Sequence, residues 1–401
     1  ILEKELTEKI RPVEKNLKYL RQIITLGSPR KGEISYWDSM GKVSSELEGA
    51  ETCKDDSCFW LYSSGSTGFP KGVVHLHHDP YLHAHYFTRY VTEMGENDIG
   101  FSLPKLFFGF GLGNLFFAFK VGASQVLWPE RPTPEGIFKI IDRYRPTIFY
   151  CVPTMYARLL EEDSSKYDLS SLRLCVSGGE PLSADLYYRW KEKFHCEIID
   201  GIGSTENIHM FIANRPGRVK PGSTGCVIPG HEVKIVDEKG QEVPKGEIGD
   251  LILKSDSLAP YYWNQHEKSK QIIIGEWCRT GDKFYQDSDG YYWYAGRSDD
   301  MIKVGGIWVS PAEVEATLNE HEAVLESAVV GHPDENQMIK PKAFVVLKKG
   351  FEPSSQLAEE LKLFVKNKIA PYNYPRWVEF VENLPKTATG KIQRYKLRQS
   401  K

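Results

Sequence analysis

Apolar and polar positions divide the 401-residue chain into stretches of different rhythm. Leu6 to Ile24 forms an amphipathic opening interrupted by Pro12, and the rest of residues 1–58 is polar and irregular. From Phe59 to about Arg297, short apolar runs alternate with helical patterns. Ser124–Trp128, Thr147–Cys151, Leu172–Ser177 and Glu197–Asp200 read as strands, and Pro134–Tyr144 and Ala184–Phe194 as helices. This alternation implies βα units around a mostly parallel sheet covered on both faces. Between Gly222 and Tyr294 the pattern changes to short strands and turns, such as Val233–Val236, Asp287–Gly290 and Tyr291–Tyr294, which read as antiparallel. From about Asp299 a smaller unit follows: helices at Pro311–Leu318 and Glu359–Lys368, strands at Ser327–Val330 and Ala343–Leu347. The expected fold class is α/β. A large domain over residues 1–298, with parallel βα units and an antiparallel section, precedes a small α+β domain over 299–401.

Composition narrows the function. A net charge of −3 gives no basis for binding nucleic acid or an acidic membrane surface. Seven scattered cysteines without a C-x-x-C pair fit a reducing cytoplasm. No signal peptide or membrane span is legible; the most apolar window, Leu106 to Phe119, is too short and carries three glycines. The start at Ile1, without an initiator methionine, reads as the interior of a protein.

The chemistry concentrates in Tyr62-Ser63-Ser64-Gly65-Ser66-Thr67-Gly68-Phe69-Pro70-Lys71-Gly72. Small residues let backbone N–H groups approach phosphate oxygens, and Lys71 adds a point charge. A Walker A loop is excluded: Pro70 stands where its second glycine belongs, and Gly72 where its Mg²⁺-binding hydroxyl belongs. The following Val73-Val74-His75-Leu76 reads as strand, not helix. Four further segments stand out. Asp200-Gly201-Ile202-Gly203-Ser204-Thr205-Glu206 ends in a hydroxyl beside a carboxylate, which suits a phosphate contact next to a Mg²⁺ ligand and equally a helix start. Arg279-Thr280-Gly281-Asp282 places an acid on a tight turn, as a ribose contact or an ordinary Asx turn. Gly296-Arg297-Ser298-Asp299-Asp300-Met301-Ile302-Lys303 marks the domain boundary. Pro385-Lys386-Thr387-Ala388-Thr389-Gly390-Lys391 is a basic loop near the C-terminus.

Together, in this order, the five segments resemble the AMP-forming acyl/aryl-CoA ligase superfamily, which also includes luciferases and peptide-synthetase adenylation domains. The match runs from about residue 58 to 394. The resemblance implies ATP, Mg²⁺ and CoA as cofactor and co-substrates. It assigns the β- and γ-phosphates to Ser63, Ser64, Gly65, Ser66, Thr67, Gly68 and Lys71. Thr205 would contact the α-phosphate and Glu206 the Mg²⁺. Further nucleotide contacts would come from Gly179, Glu180, Asp200, Gly201, Ile202, Gly203 and Ser204. Asp282 would bind the ribose hydroxyls, aided by Arg297. Asp299 would be the hinge of a mobile C-terminal domain that brings Lys391 to the α-phosphate and carboxylate. That domain would then exchange the lysine for a surface around Gly305, Gly306, Ile307 and Trp308 that admits the pantetheine arm.

The acid itself is the subtler question. In this superfamily the acyl pocket is lined near 107–114, 178–180 and 201–209. Here those segments offer Phe107, Phe108, Phe110, Gly178, Gly203, Ile208 and His209. Glycines between phenylalanine walls suit a planar aromatic ring. The competing reading, a core helix over 107–119, is disfavoured by three glycines at about 1 kcal/mol each. Ile202 replaces an aromatic residue that many members stack on adenine. With His209 and Asn214-Arg215-Pro216-Gly217 it resembles the benzoate–CoA ligase branch. Only 61 residues precede Tyr62, fewer than family members carry, so the large domain reads as N-terminally incomplete. The histidines at 75, 77, 78, 83 and 85 lack zinc-site spacing, and His75 fits the strand after the loop. The partners expected are an aromatic carboxylate, ATP and CoA, with a homodimer left open and neither nucleic acid nor membrane. A carrier-protein thiol acceptor or a non-catalytic binding relative stand as alternatives.

Overall fold

The computed structural model describes residues 2–64, 70–304, 307–335, 338–370, 372–386 and 392–399. Gly65, Ser66, Thr67, Gly68, Gly305, Gly306 and Lys391 lie outside the described residues. Two units are distinct, Ile1–Cys53 and Lys54–Lys401. In the first, strands Leu2–Glu3, Ile24–Leu26 and Ile34–Ser35 form a parallel sheet. The opening helix spans only Lys4–Ile10 and stops just before Pro12.

The centre of the second unit is a seven-stranded sheet. Its order is Cys226–Val227, Met210–Ala213, Ile198–Gly203, Leu174–Gly178, Ile148–Cys151, Ile99–Ser102 and Ser124–Val126. The last five pair in parallel, and Met210–Ala213 and Cys226–Val227 close one edge antiparallel. Side-chain alternation explains the unbroken apolar runs. Phe101, Phe149, Cys151, Cys175 and Ile198 enter one core, while Ile148, Tyr150, Leu174, Val176 and Ile199 enter the other. Helices Pro134–Tyr144, Pro153–Glu161 and Ala184–Phe194 cover the first face, through Ile137, Phe138, Tyr156 and Trp190 among others. Helices His78–Phe87 and Gly109–Val121 cover the second, through Phe87, Phe117 and Ala118.

Gly109–Val121 corrects the expectation for this segment: it is a helix despite Gly109, Gly111 and Gly113. A Cβ on Gly111 would stand 2.2 Å from the Lys105 carbonyl oxygen. One on Gly109 would stand 2.3 Å from the Ile208 oxygen, and one on Gly113 2.8 Å from the His209 ring. The glycines let the helix start press against those segments, and this packing outweighs their intrinsic helix cost.

The phosphate-loop hairpin, Ser57–Ser64 and Pro70–Leu76, pairs antiparallel and is joined by Tyr261–Tyr262. A separate antiparallel sheet is built from His231–Val236, Gly249–Ser255, Trp277–Gln286, Ile273–Ile274 and Tyr292–Arg297. After a turn at 298–300, hairpin Ile302–Val304 and Ile307–Val309 leads into helix Pro311–Asn319. Strands Val324–Pro333, Ile339–Leu347 and Trp377–Phe380 follow, with helices Ser355–Lys368 and Arg394–Gln399. Val314, Leu318, Val329, Val345, Leu361 and Val365 share one core there. Among the described residues no helix is long and apolar enough to cross a membrane.

Candidate active site

Strands Leu174–Gly178 and Ile198–Gly203 run parallel, with Gly178 opposite Gly201, so both glycine turns emerge from the same edge of the sheet. That is where α/β sheets hold ligands. The second strand passes straight into a short 3-10 turn, Thr205–Asn207. The phosphate-loop hairpin closes on it. Lys71 Nζ donates to Glu206 Oε1 at 2.7 Å and to the Tyr262 hydroxyl at 3.0 Å; that hydroxyl donates to the same Oε1 at 2.7 Å. Burial alone would raise the Glu206 carboxyl, but the Lys71 charge and the two hydrogen bonds outweigh it and hold the group below its usual range. Beside this cluster, Ser63 Oγ is buried without a hydrogen-bond partner, directly opposite Lys71 on the hairpin.

Asp282 and Arg297 face each other across neighbouring strands, 3.0 Å apart, and Arg297 also donates to the Thr280 carbonyl at 3.2 Å. The tight turn expected here is instead an irregularity within strand Trp277–Gln286, where Gly281 takes φ +75° and a side chain would crowd the Arg297 guanidinium. The Asp282 strand passes close to Glu206: burial and then the Glu206 charge push up the Cys278 thiol. Asp200 is buried, with Oδ1 unpartnered. Burial pushes its carboxyl up to about 8, against the weaker pull of the Ser177 hydroxyl and the Leu182 and Gly201 amides. At neutral pH such a carboxyl is protonated and offers both an O–H donor and a carbonyl acceptor. Glu180, next to Gly179, accepts from the Thr154 amide at 3.2 Å.

Beyond the Thr205–Asn207 turn, the tautomer of His209 follows from one pure acceptor. The Ser102 hydroxyl donates to the Pro104 carbonyl at 3.1 Å, so Ser102 Oγ accepts from Asn114 Nδ2 at 2.9 Å. Asn114 Oδ1 is then left to accept from His209 Nε2–H at 3.1 Å. His209 Nδ1 remains a bare, buried acceptor. Burial lowers this imidazole to about 3, which keeps it neutral. Its ring packs against Phe87, Phe110, Phe117 and His83 at centroid distances of 4.7 to 5.3 Å. Phe110 and Met210 also approach Gly178, whose added Cβ would meet both. Phe107 and Phe108 instead pack against each other at a 55° tilt before the helix, 67% and 36% exposed, outside this buried wall. Ile208 is buried at φ 67°, ψ −53°, and the His209 amide donates to the Asn207 carbonyl at 2.7 Å. Together these make a strained γ-turn at a β-branched residue. Gly203 lies so close that a Cβ would stand 2.4 Å from the His209 carbonyl oxygen.

Tyr262, Asn114 and Met210 belong to these clusters and carry no local sequence signal, because each is brought in from a distant or apolar run. Asp299 is exposed on the turn between Arg297 and Met301. Trp308 lies under Lys283, 5.1 Å from Nζ to ring centroid, which brings the 302–309 hairpin beside Asp282. Helix Arg394–Gln399, three residues beyond Lys391 in sequence, is tied down by Arg394, whose Nη2 donates to Glu315 Oε2 at 2.7 Å and Oε1 at 2.9 Å while Nε donates to Oε1 at 3.2 Å. Arg398 adds bonds to the Asp299 carbonyl, at 3.1 Å, and to Asp300.

Residues 1–263 match the family described as AMP-binding enzyme, and residues 313–391 its C-terminal domain. The chain is 49% identical over 401 residues to a benzoate–CoA ligase of Thauera aromatica, covering 99% of this chain and 76% of that one. It is 43% identical to a 4-hydroxybenzoate–CoA/benzoate–CoA ligase of Rhodopseudomonas palustris, covering 96% and 72%. Among solved structures, the anthranilate CoA ligase AuaEII in complex with anthranoyl-AMP superposes with a TM-score of 0.93 at 49% identity, covering 99% of this chain and 77% of that one. A benzoate CoA ligase from Burkholderia xenovorans LB400 gives 0.89 at 45%, covering 99% and 79%. Sequence and fold agree, and the chain belongs to the AMP-binding enzyme family.

Proposed function

We propose that this protein is an AMP-forming aryl–CoA ligase acting on benzoate or a substituted benzoate. The carboxylate oxygen attacks the α-phosphorus of ATP, and the bond to pyrophosphate breaks to leave aryl-AMP. The CoA thiolate then attacks the acyl carbon and AMP departs. The observation that carries this reading is the convergence of the Lys71–Glu206–Tyr262 cluster with the neutral, aromatic wall around His209 on one turn of chain. Lys71 and the buried Ser63 hydroxyl meet phosphate charge, and Thr205 stands beside them for the α-phosphate. Both hydrogen bonds to Glu206 fall on Oε1, so Oε2 is the oxygen that would hold Mg²⁺, whose charge would offset that developing on the phosphates. Asp282 and Arg297 hold the ribose, and Asp200, Gly201, Ile202, Gly203 and Ser204 border the base with Gly179 and Glu180. Phe110, Gly178, Ile208 and His209 bound the ring.

Lys391 delivers the cation for adenylation, and the 302–309 hairpin serves the thiol step. The domain boundary is placed at 298/299, with Asp299 as hinge. A cytoplasmic location is part of the proposal, supported by seven cysteines that are all free of disulfides. So is a homodimer, which light scattering reads directly. The deciding experiment is AMP release from Mg·ATP with benzoate or 2-aminobenzoate, with and without CoA. Turnover that needs both acid and CoA is expected. Turnover only with a carrier-protein thiol would change the acceptor, and turnover only with aliphatic acids would overturn the aromatic pocket.

A further inference from the structure

Side chains alternate along strand Pro70–Leu76, so Lys71, Val73 and His75 share one face. Both polar members of that face reach the same turn. Lys71 takes the Glu206 carboxylate, and His75 Nε2 lies 2.8 Å from the Thr205 carbonyl oxygen. A carbonyl can only accept, so Nε2 donates. The other ring nitrogen, Nδ1, faces Asp79 Oδ2 at 3.0 Å, and that oxygen also accepts the Leu76 amide at 2.9 Å. His75 and Asp79 are both wholly buried. Asp79 sits in the first turn of helix His78–Phe87, so a continuous line runs from that helix, through the phosphate-loop strand, to the Thr205–Asn207 turn.

That turn needs an external hold. It leads directly into the γ-turn at Ile208, a backbone state that a β-branched residue keeps only when its surroundings impose it. Its far side is held by Asn207, bonded to His231 at 3.2 Å and to Ser257 at 3.2 Å. Its near side is held by His75 on the Thr205 carbonyl.

We infer that His75 is a positioning residue for the adenylation half-reaction, setting the Thr205–Glu206 backbone against the phosphate-loop strand without touching the nucleotide. This inference rests on the proposed roles of Thr205 and Glu206. Its chemistry separates two substitutions. The amide of His75→Gln reaches about as far as Nε2 and can still donate to Thr205. The shorter amide of His75→Asn reaches only as far as Nδ1 and meets Asp79 alone.

The test measures pyrophosphate release from Mg·ATP and benzoate, thioester formation from synthetic benzoyl-AMP and CoA, and thermal unfolding, in the wild type and each variant. H75N is expected to lose about tenfold or more in the kcat of adenylation, with the KM for benzoate unchanged and the step from benzoyl-AMP within about twofold. H75Q is expected to recover most of that loss, even if both variants melt alike. Equal loss in both variants, equal loss in both half-reactions, or unchanged adenylation in H75N would overturn the inference. If H75N does not fold, His75→Phe fills the same space and the split between half-reactions is read there. Failure of every variant to fold would make the contact a folding contact only and overturn the inference as well. A wild type that releases no pyrophosphate while forming thioester from benzoyl-AMP would instead overturn the roles given to Thr205 and Glu206.

Discussion

Lys71, Glu206 and Tyr262 satisfy one another, whereas a few residues along the chain His209 keeps a bare Nδ1 and its neighbour His83 two bare ring nitrogens. The first wall of the site is charged and held by pairing. The second is neutral and held by shape, through aromatic rings and glycines that admit close backbone contact. Polar groups on the second wall persist unpaired because burial keeps them uncharged: His209 is lowered to about 3, and His83, pushed down by burial and then by the neighbouring histidines, lies well below its usual value. A polyanionic substrate calls for the first kind of construction and a flat ring for the second.

The largest expected effect tests the pairing. Lys71→Met leaves Glu206 as a mostly buried carboxylate without its cation, a change that costs about 3 kcal/mol where such pairs are broken. Urea unfolding at pH 7 should register that loss. The sign of the pH dependence should also invert. With Lys71 present, the lowered Glu206 pKa gives stability that is present above about pH 4.5 and is lost as pH falls through the folded value. In K71M burial prevails, the folded pKa rises, and stability falls as pH climbs above 4.5. Unchanged stability in K71M would mean that Glu206 is solvated and that the wall is not held by pairing.

The same contrast explains what could be read from the chain. Helices Pro134–Tyr144 and Ala184–Phe194 match their expected bounds, because Thr133 and Ser183 cap them and a 3.6-residue apolar stripe fills one core. In the charged wall the segments that carry Lys71, Glu206 and Asp282 are legible as segments, and the structure pairs Lys71 with Glu206 and Asp282 with Arg297; their phosphate, metal and ribose roles belong to the proposal. The acyl wall is not legible in this way. Intrinsic helix propensity speaks against Gly109, Gly111 and Gly113 in a helix, yet what decides them is the approach of the Pro104 and Lys105 carbonyls just upstream and of the Ile208 carbonyl and His209 ring from a remote segment, none of which propensity registers. Phe107, Phe108 and Phe110 look equivalent in the sequence, and only Phe110 reaches His209. Tyr262, which completes the charged cluster, arrives from a different strand.

Gly111→Ala probes the shape-held wall and carries the next largest effect. Helix propensity alone predicts a gain of about 1 kcal/mol. The added methyl would lie 2.2 Å and 2.4 Å from two backbone oxygens, Lys105 and Pro104, which cannot rotate away. The expected outcome is a net loss of about 2 kcal/mol in denaturant unfolding, with a raised KM for the aromatic acid and little change for Mg·ATP. A stabilised G111A would show that the helix start is loosely packed and that the comparison between the walls is overdrawn.

The smallest effect sharpens the account of why bare nitrogens survive there. His83 is buried between Phe87, Phe117 and His209, with neither ring nitrogen bonded. Its folded pKa lies below the unfolded value near 6.5. Between the two, the unfolded chain binds the extra proton, so the stability tied to the neutral ring is present above about 6.5 and is lost as pH falls. At pH 5.5 this linkage is about 1 kcal/mol for one fully depressed histidine. His83→Leu removes the titration while keeping an apolar side chain in the gap. The difference in unfolding free energy between wild type and H83L should therefore shift by about 1 kcal/mol in favour of the variant on going from pH 7.5 to 5.5. His209 and His231, lowered to about 3 and about 4, should keep their own share of the acid sensitivity in both proteins. A pH-independent difference would mean that His83 finds a hydrogen-bonding partner on protonation, and that the second wall, like the first, can hold a charge.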